Sequence, residues 1–204
     1  MEFKKQPFIP MLFGGDINTY SVARAFYEEY QVKTYVFGKF PSGPSYNSNI
    51  IEYHANLKID TDEVFMQTVR DFAAAHADKT VLTIGCGDSY VALCSRHKDE
   101  MPENVVAPYI DFELMDRLQQ KELFYRLCRE HDIDFPDTLV FRHGMDLDFE
   151  LPFSFPVILK PSNSVMYWDH EFPTQEKVYK IDNDKKLKDT IRQIYDAGYT
   201  DSLI

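Results

Sequence analysis

Phe155-Pro156-Val157-Ile158-Leu159-Lys160-Pro161-Ser162-Asn163-Ser164 reads as an apolar strand that delivers one lysine and then breaks into a polar loop. Val157, Ile158 and Leu159 favour a pleated, half-buried strand, and Pro161 cannot donate to a continuing ladder. Lys160 therefore sits at a fixed exit. An ammonium interrupting a buried-type strand must snorkel to water or meet an anion, because leaving it buried and unpaired is expensive. The Ser162, Asn163 and Ser164 side chains and the loop backbone offer donors suited to phosphate oxygens. Taken alone, the stretch is equally compatible with a surface lysine on an edge strand. The rest of the chain decides between the two.

The chain has 204 residues, 44% of them hydrophobic and 15% aromatic, with a formal charge of −11. That length can bury one large or two small cores. The charge repels nucleic-acid backbones and anionic membranes at long range, so neither is the expected main partner. The opening MEFKKQPFIPMLFGG carries only a short apolar run broken by Pro10, with no membrane span and no cleavage pattern, so a cytoplasmic, unprocessed chain without membrane insertion is expected. Cys86, Cys94 and Cys128 are odd in number and lack metal-ligand spacing; buried reduced thiols are expected, and no metal site.

Upstream, Phe8 to Phe13 reads as a buried strand ending in Gly14-Gly15-Asp16, followed by Tyr20, Ala23, Phe26 or Tyr27, and Tyr30 at helical spacing. Strand, glycine turn and helix open a βαβ unit, with Asp16 as N-cap. Lys33 to Gly38 is the second strand, FPSGPSYNSN its loop, and Ile50 to Tyr53 a short third strand. Thr61 opens a helix with Phe65, Val69 and Phe72 on one face; His76 is read as helix surface. Lys79 to Ile84 is the fourth strand, ending in Gly85-Cys86-Gly87-Asp88-Ser89 before a helix to about His97, and Val105 to Ile110 is the fifth. Strand C-termini are where open α/β sheets bind ligands, so Gly14, Gly15, Asp16 and Asn18 with Gly87, Asp88 and Ser89 are expected to line one crevice. A first domain, residues 1–112, closes there.

Residues 113–204 change texture. A helical pair or one bent helix runs from Asp111 to His131, with Lys121 beginning its second part. A strand follows near Thr138 to Phe141, then the acidic excursion RHGMDLDFELPF, the FPVILK strand, and a strand from Lys177 to Ile181. Asn183 or Asp184 caps a last helix that Gly198 stops, and Leu203-Ile204 look like the start of another strand.

The order of these parts resembles the ATP-grasp superfamily. The carrying motifs are Lys121-Glu122-Leu123-Phe124, Ile133-Asp134-Phe135-Pro136-Asp137-Thr138 and Phe155-Pro156-Val157-Ile158-Leu159-Lys160-Pro161, spread over the second half of the chain behind a Rossmann-like first half. GGDINTYSVAR, CGDSYVAL and KPSNSVMYW are similar, more narrowly, to the D-aspartate-ligase type of carboxylate–amine ligase. The resemblance implies an α/β fold, a Rossmann-like domain with a parallel sheet followed by the first, small α+β part of an ATP-grasp domain. It further implies an ATP- and Mg²⁺-dependent ligase that activates a carboxylate as an acyl phosphate for attack by an amine, in the narrower type in building peptidoglycan bridges. Lys121 and Lys160 would contact the nucleotide phosphates, and Ser162, Asn163 and Ser164 would form the loop closing over them. The glycine loops at Gly14 to Asn18 and Gly87 to Ser89 would hold small-molecule carboxylate or amine substrates, and a homodimer is compatible with the type.

Three departures accompany it. The phosphate loop reads Ser-Asn-Ser-Val-Met-Tyr-Trp rather than being glycine-rich, and Asp132 stands where glycine ends the helix, a slot that asparagine and aspartate tolerate. The family's adenine-holding hinge and Mg²⁺ ligands would follow Ile204, so these 204 residues are expected to be an N-terminal portion, inactive alone. Asp146, Asp148 and Glu150 alternate as a solvated face and do not replace those ligands. Two other readings compete. VLTIGCGDS is similar to the glycine loop of S-adenosylmethionine-dependent methyltransferases, although Ser89 replaces a glycine and VVAPYI ends without an acid for a ribose. The alternative outside the enzymes is a non-catalytic module that binds a small ligand or nucleotide.

Overall fold

A computed structural model describes residues 2–204, the Val165 side chain excepted. Two compact units are present, one reaching to Asp116 and the other spanning Arg117–Ile204.

The first unit is a five-stranded, wholly parallel sheet. Its strands are β1 (Phe8–Phe13), β2 (Thr34–Gly38), β3 (Ile51–Ala55), β4 (Thr80–Gly85) and β5 (Val105–Val106), in the order β3-β2-β1-β4-β5. Between them run α1 (Ile17–Tyr30), the short α2 (Gly43–Tyr46), α3 (Asp62–Ala75) and α4 (Asp88–Arg96). β1 is central and buried on both faces, and its side chains alternate as a period of two requires. Ile9, Met11 and Phe13 face Phe65, Val69 and Phe72 of α3, while Leu12 joins Ala23 of α1 and Val36 on the opposite side. Pro10 is tolerated in this central strand because pairing to β2 begins only at Met11. Phe13 packs its ring 4.5 Å from that of Phe65, between centroids, which locks α3 onto the sheet's first face. His76 ends α3 half-buried, its ring 4.2 Å from Phe72 and Nδ1 2.9 Å from the Phe72 carbonyl, so it is part of the packing rather than bare surface.

Several boundaries differ from the expectations. The fifth strand stops at Val106 instead of Ile110, since Pro108 follows and the Tyr109 hydroxyl turns back to accept from the Gly85 N–H at 2.6 Å. The fourth helix starts at Asp88, two residues before Tyr90, and α2 occupies part of the loop FPSGPSYNSN.

α5 (Phe112–Gln119) leads into α6 (Lys121–Glu130), so the helical pair is realised with its break at Gln120. Asp132 takes the left-handed conformation after α6, φ 53°. The second unit contains β6 (Val157–Leu159) antiparallel to β7 (Tyr179–Ile181), with α7 (Ser164–Trp168) and α8 (Asp184–Asp196). Leu187, Ile191 and Ile194 of α8 pack on Leu159, Tyr167, Ile181, Tyr199 and Leu203. The strand expected at Thr138 to Phe141 is reduced to one bridge, Phe141 to Leu203; Leu203 also bridges to Pro161, so the last residues lie between these two segments. Backbone N–H···O bonds in both directions between Lys160 and Ile204, at 2.9 and 2.8 Å, hold that pairing.

Candidate functional site

The sheet order of the first unit reverses at β1. The chain moves outward through β2 and β3, then returns to place β4 on the other side, so the loops after β1 and β4 diverge at the C-terminal edge. Such a switch point opens a crevice by construction. Here it is a cavity of about 220 Å³ lined by Gly14, Gly15, Asp16, Gly87 and Ser89, together with Lys39, Ser42, Tyr53, Cys86 and Tyr90 among others. Asn18 and Asp88 do not line it.

Local chemistry explains that division. Asp16 caps α1, its carboxylate accepting from the Asn18 and Thr19 N–H groups (both 3.1 Å), the Asn18 side-chain amide (2.9 Å) and the Thr19 hydroxyl (3.2 Å). Asn18 is thereby turned toward the cap. Gly14 has φ 146°, and an added Cβ would lie 2.3 Å from the Thr19 hydroxyl, so the turn that shapes the crevice requires glycine. Gly85 is needed for a different reason: a Cβ there would meet the α4 backbone at Tyr90 and Val91, 2.6 Å away. Gly87, the N-cap of α4, offers it no side-chain cap. Cys86, at the crevice wall, is pushed up to about 11 by burial and so keeps its thiol protonated. Lys39 and Tyr53 were not singled out in the sequence. Lys39 follows β2, whose C-terminal edge is the same as that of β1, and this position was the available signal.

The second unit gathers the other candidates. Lys121 is the first residue of α6; its Nζ donates to the Ser162 carbonyl at 3.2 Å and to the Ser164 hydroxyl at 3.4 Å. Lys160 leaves β6 and reaches the Tyr125 hydroxyl at 3.3 Å, with its ammonium 5.8 Å from that ring's centre. Lys121 and Tyr125 are four residues apart on α6 and share a face, so both lysines converge on one side of one helix. Tyr125, missed in the sequence, is held by stacking on Phe135 at 5.6 Å.

The loop differs from a free flap. The Asn163 N–H donates to the Tyr199 hydroxyl (3.2 Å), which donates in turn to the Ser202 carbonyl (3.0 Å); the Asn163 side-chain oxygen accepts from the Met166 N–H at 3.1 Å as α7 begins. Tyr167 of α7 is fully buried, its hydroxyl donating to the Glu176 carbonyl at 3.0 Å. Ser162 is itself buried and meets Lys121 through its carbonyl. The segment expected as a loop closing over phosphates is an anchored turn and one short helix, because buried Tyr167 supplies core contacts that a glycine would not.

A cavity of about 430 Å³, lined mainly by apolar side chains including Ile158, Leu187 and Ile191, carries Lys160 among its lining residues. Ammonium groups, a hydroxyl and an adjoining apolar cavity suit the phosphates and the base of a nucleotide. Among the described residues, no group of three or more His, Cys, Asp or Glu could hold a metal ion. Also among the described residues, no helix is long and apolar enough to cross a membrane.

No family model matches the chain. It is 37% identical, over 98% of its length, to the D-aspartate ligase of Enterococcus faecium (strain Aus0004), and spans 49% of that protein. Its fold is similar to that of the L-amino acid ligase from Bacillus licheniformis, with a TM-score of 0.58 and 16% identity over 98% of this chain and 44% of that one. The chain is thus a homologue, over nearly its whole length, of about half of a D-aspartate ligase, and it shares the fold of the corresponding part of an L-amino acid ligase.

Proposed function

We propose that the chain is part of an ATP-dependent carboxylate–amine ligase, of the kind that joins D-aspartate to an amine of a peptide such as a peptidoglycan bridge. The observation that carries this reading is the convergence of Lys121 and Lys160 on one face of α6 beside the Ser162-Asn163-Ser164 turn. In the proposed reaction a carboxylate oxygen attacks the γ-phosphorus of ATP, releasing ADP and leaving an acyl phosphate. The amine then attacks the acyl carbon and phosphate departs. Phosphoryl transfer asks mainly for position and for compensation of charge on oxygen. Lys121 and Lys160 would supply the positive charge, and Tyr125 would aim Lys160. The first unit would receive the small acid, in a crevice of about 220 Å³.

A second proposal, drawn from the resemblance, is that these 204 residues bind nucleotide without turning it over. The test uses Trp168, the single tryptophan, which stands in α7 directly after the loop. Its fluorescence is expected to change on titration with ATP. Lys160→Ala and Lys121→Ala should each weaken binding about tenfold or more, the scale of losing one charge-assisted contact of about 1.5–3 kcal/mol. Unchanged affinity in both variants would refute the clamp, and steady ADP release by the 204-residue chain would refute the second proposal.

A further inference from the structure

The crevice of the first unit contains a charged group that the glycine loops do not account for. Lys39, on the segment leaving β2, lines the cavity, and its Nζ is held 2.7 Å from the Asp60 carboxylate. Both side chains remain open to water, at 43% for Lys39 and 31% for Asp60, so the pair is a screened one that contributes little to stability and can exchange partners readily. The other charged residue of the lining, Asp16, has its carboxylate occupied by four donors belonging to α1. Its negative charge is therefore directed into the start of that helix, where the dipole favours it. Facing a guest, besides Phe40 and Cys86, are one ammonium, the hydroxyls of Ser42 and Ser89, and the side chains of Tyr53 and Tyr90. The Tyr53 hydroxyl donates to the Phe40 carbonyl at 2.9 Å, which ties the residue next to Lys39 to the crevice wall.

We infer that Lys39 is the recognition residue for the carboxylate of a small organic acid in this crevice, with Asp60 as the partner it leaves on binding. The inference rests on the proposed function for the identity of the site as a substrate site, and it adds the residue and the ligand charge. In the free protein Asp60, which is not itself a lining residue, holds the Lys39 ammonium at 2.7 Å. An arriving carboxylate replaces one exposed contact with another inside a more enclosed space, where the same charges interact more strongly. A cavity of about 220 Å³ admits an acid of a few carbons and excludes a nucleotide.

Calorimetric titration of the 204-residue chain with succinate, and with succinamide as its neutral counterpart, tests the inference. Succinate is expected to bind and succinamide to show no heat at the same concentration. Lys39→Met should weaken succinate at least tenfold, with Lys39→Arg restoring most of the loss. Asp60→Asn should tighten it severalfold, because the lysine no longer has a competing partner. No succinate binding to the wild type, Lys39→Met with unchanged affinity, or Asp60→Asn weakening succinate as Lys39→Met does would each overturn the inference; the last would make the pair a structural tie. Should Lys39→Met unfold early, the Asp60→Asn result still decides. ATP titration of the same proteins separates the two levels of interpretation. Loss of succinate with nucleotide binding retained concerns Lys39 alone, whereas a wild type that binds succinate but no nucleotide defeats the ligase reading and leaves Lys39 standing.

Discussion

Replacing Tyr199 by phenylalanine removes one oxygen from the interior of the second unit and leaves the ring in place. That oxygen accepts from the Asn163 N–H at 3.2 Å and donates to the Ser202 carbonyl at 3.0 Å, in a residue that is fully buried. The two bonds are not equivalent. The Ser202 carbonyl keeps the Ser162 N–H as a donor at 2.9 Å, whereas the Asn163 N–H loses its hydroxyl acceptor. The expected loss is therefore dominated by one partly buried contact, about 1–2 kcal/mol. With a denaturant slope of about 1–2 kcal/mol/M in urea for a small unit, the midpoint should fall by roughly 1 M while the slope stays constant. Trp168, in the same unit, reports the transition by fluorescence. Because the hydroxyl ties the loop that Lys121 touches, nucleotide affinity should weaken as well, although neither lysine has changed. A midpoint within 0.3 M or so of the wild type, on the same slope scale, would refute the idea that Tyr199 anchors the turn.

Gly85→Ala should destabilise the first unit by about 1–3 kcal/mol, since the added methyl meets helix backbone at 2.6 Å and backbone cannot rotate aside; circular dichroism melts check this, and an unaltered Tm would contradict it. Alkaline pH should act on the same unit. Burial pushes Cys86 up to about 11, and Cys94 and Tyr90 up to about 12. Their ordinary values are about 8.5 for cysteine and about 10 for tyrosine. The folded state thus favours the neutral forms, and their contribution is complete below the unfolded values and lost as pH rises toward 11–12. A Tm that stays level from about pH 8.5 to 11 would show those groups to be accessible to water when folded.

Much of the first unit was legible because its signals are local. Phe8–Phe13 is a continuous apolar run bounded by Pro7 and Gly14, and α3 repeats Phe65, Val69 and Phe72 on one face, patterns that packing on both sides of a parallel sheet demands. Asp16 was legible as a cap, and the structure selects Asn183 over Asp184 for the last helix; in both the side chain bonds to an amide two or three residues away. Boundaries set by distant groups were less legible. Val105 to Ile110 looks like a full strand, yet only two residues pair, and the Tyr109 hydroxyl is drawn to Gly85.

Lys160 was visible in the sequence as a cation at a strand exit beside donors, and the ordered resemblance linked it to Lys121. Their spacing along the chain could not bring them together. Tertiary packing did so, by placing Tyr125 where Lys160 can reach it and by pinning the Ser162-Asn163-Ser164 turn through Tyr199. The same holds for the crevice: glycine loops after two strands are sequence features, but only the order β3-β2-β1-β4-β5 makes them neighbours and brings Lys39 to their edge. Short-range hydrogen bonding and periodic burial are encoded residue by residue, whereas a lysine's partners are set by contacts between residues far apart in the chain.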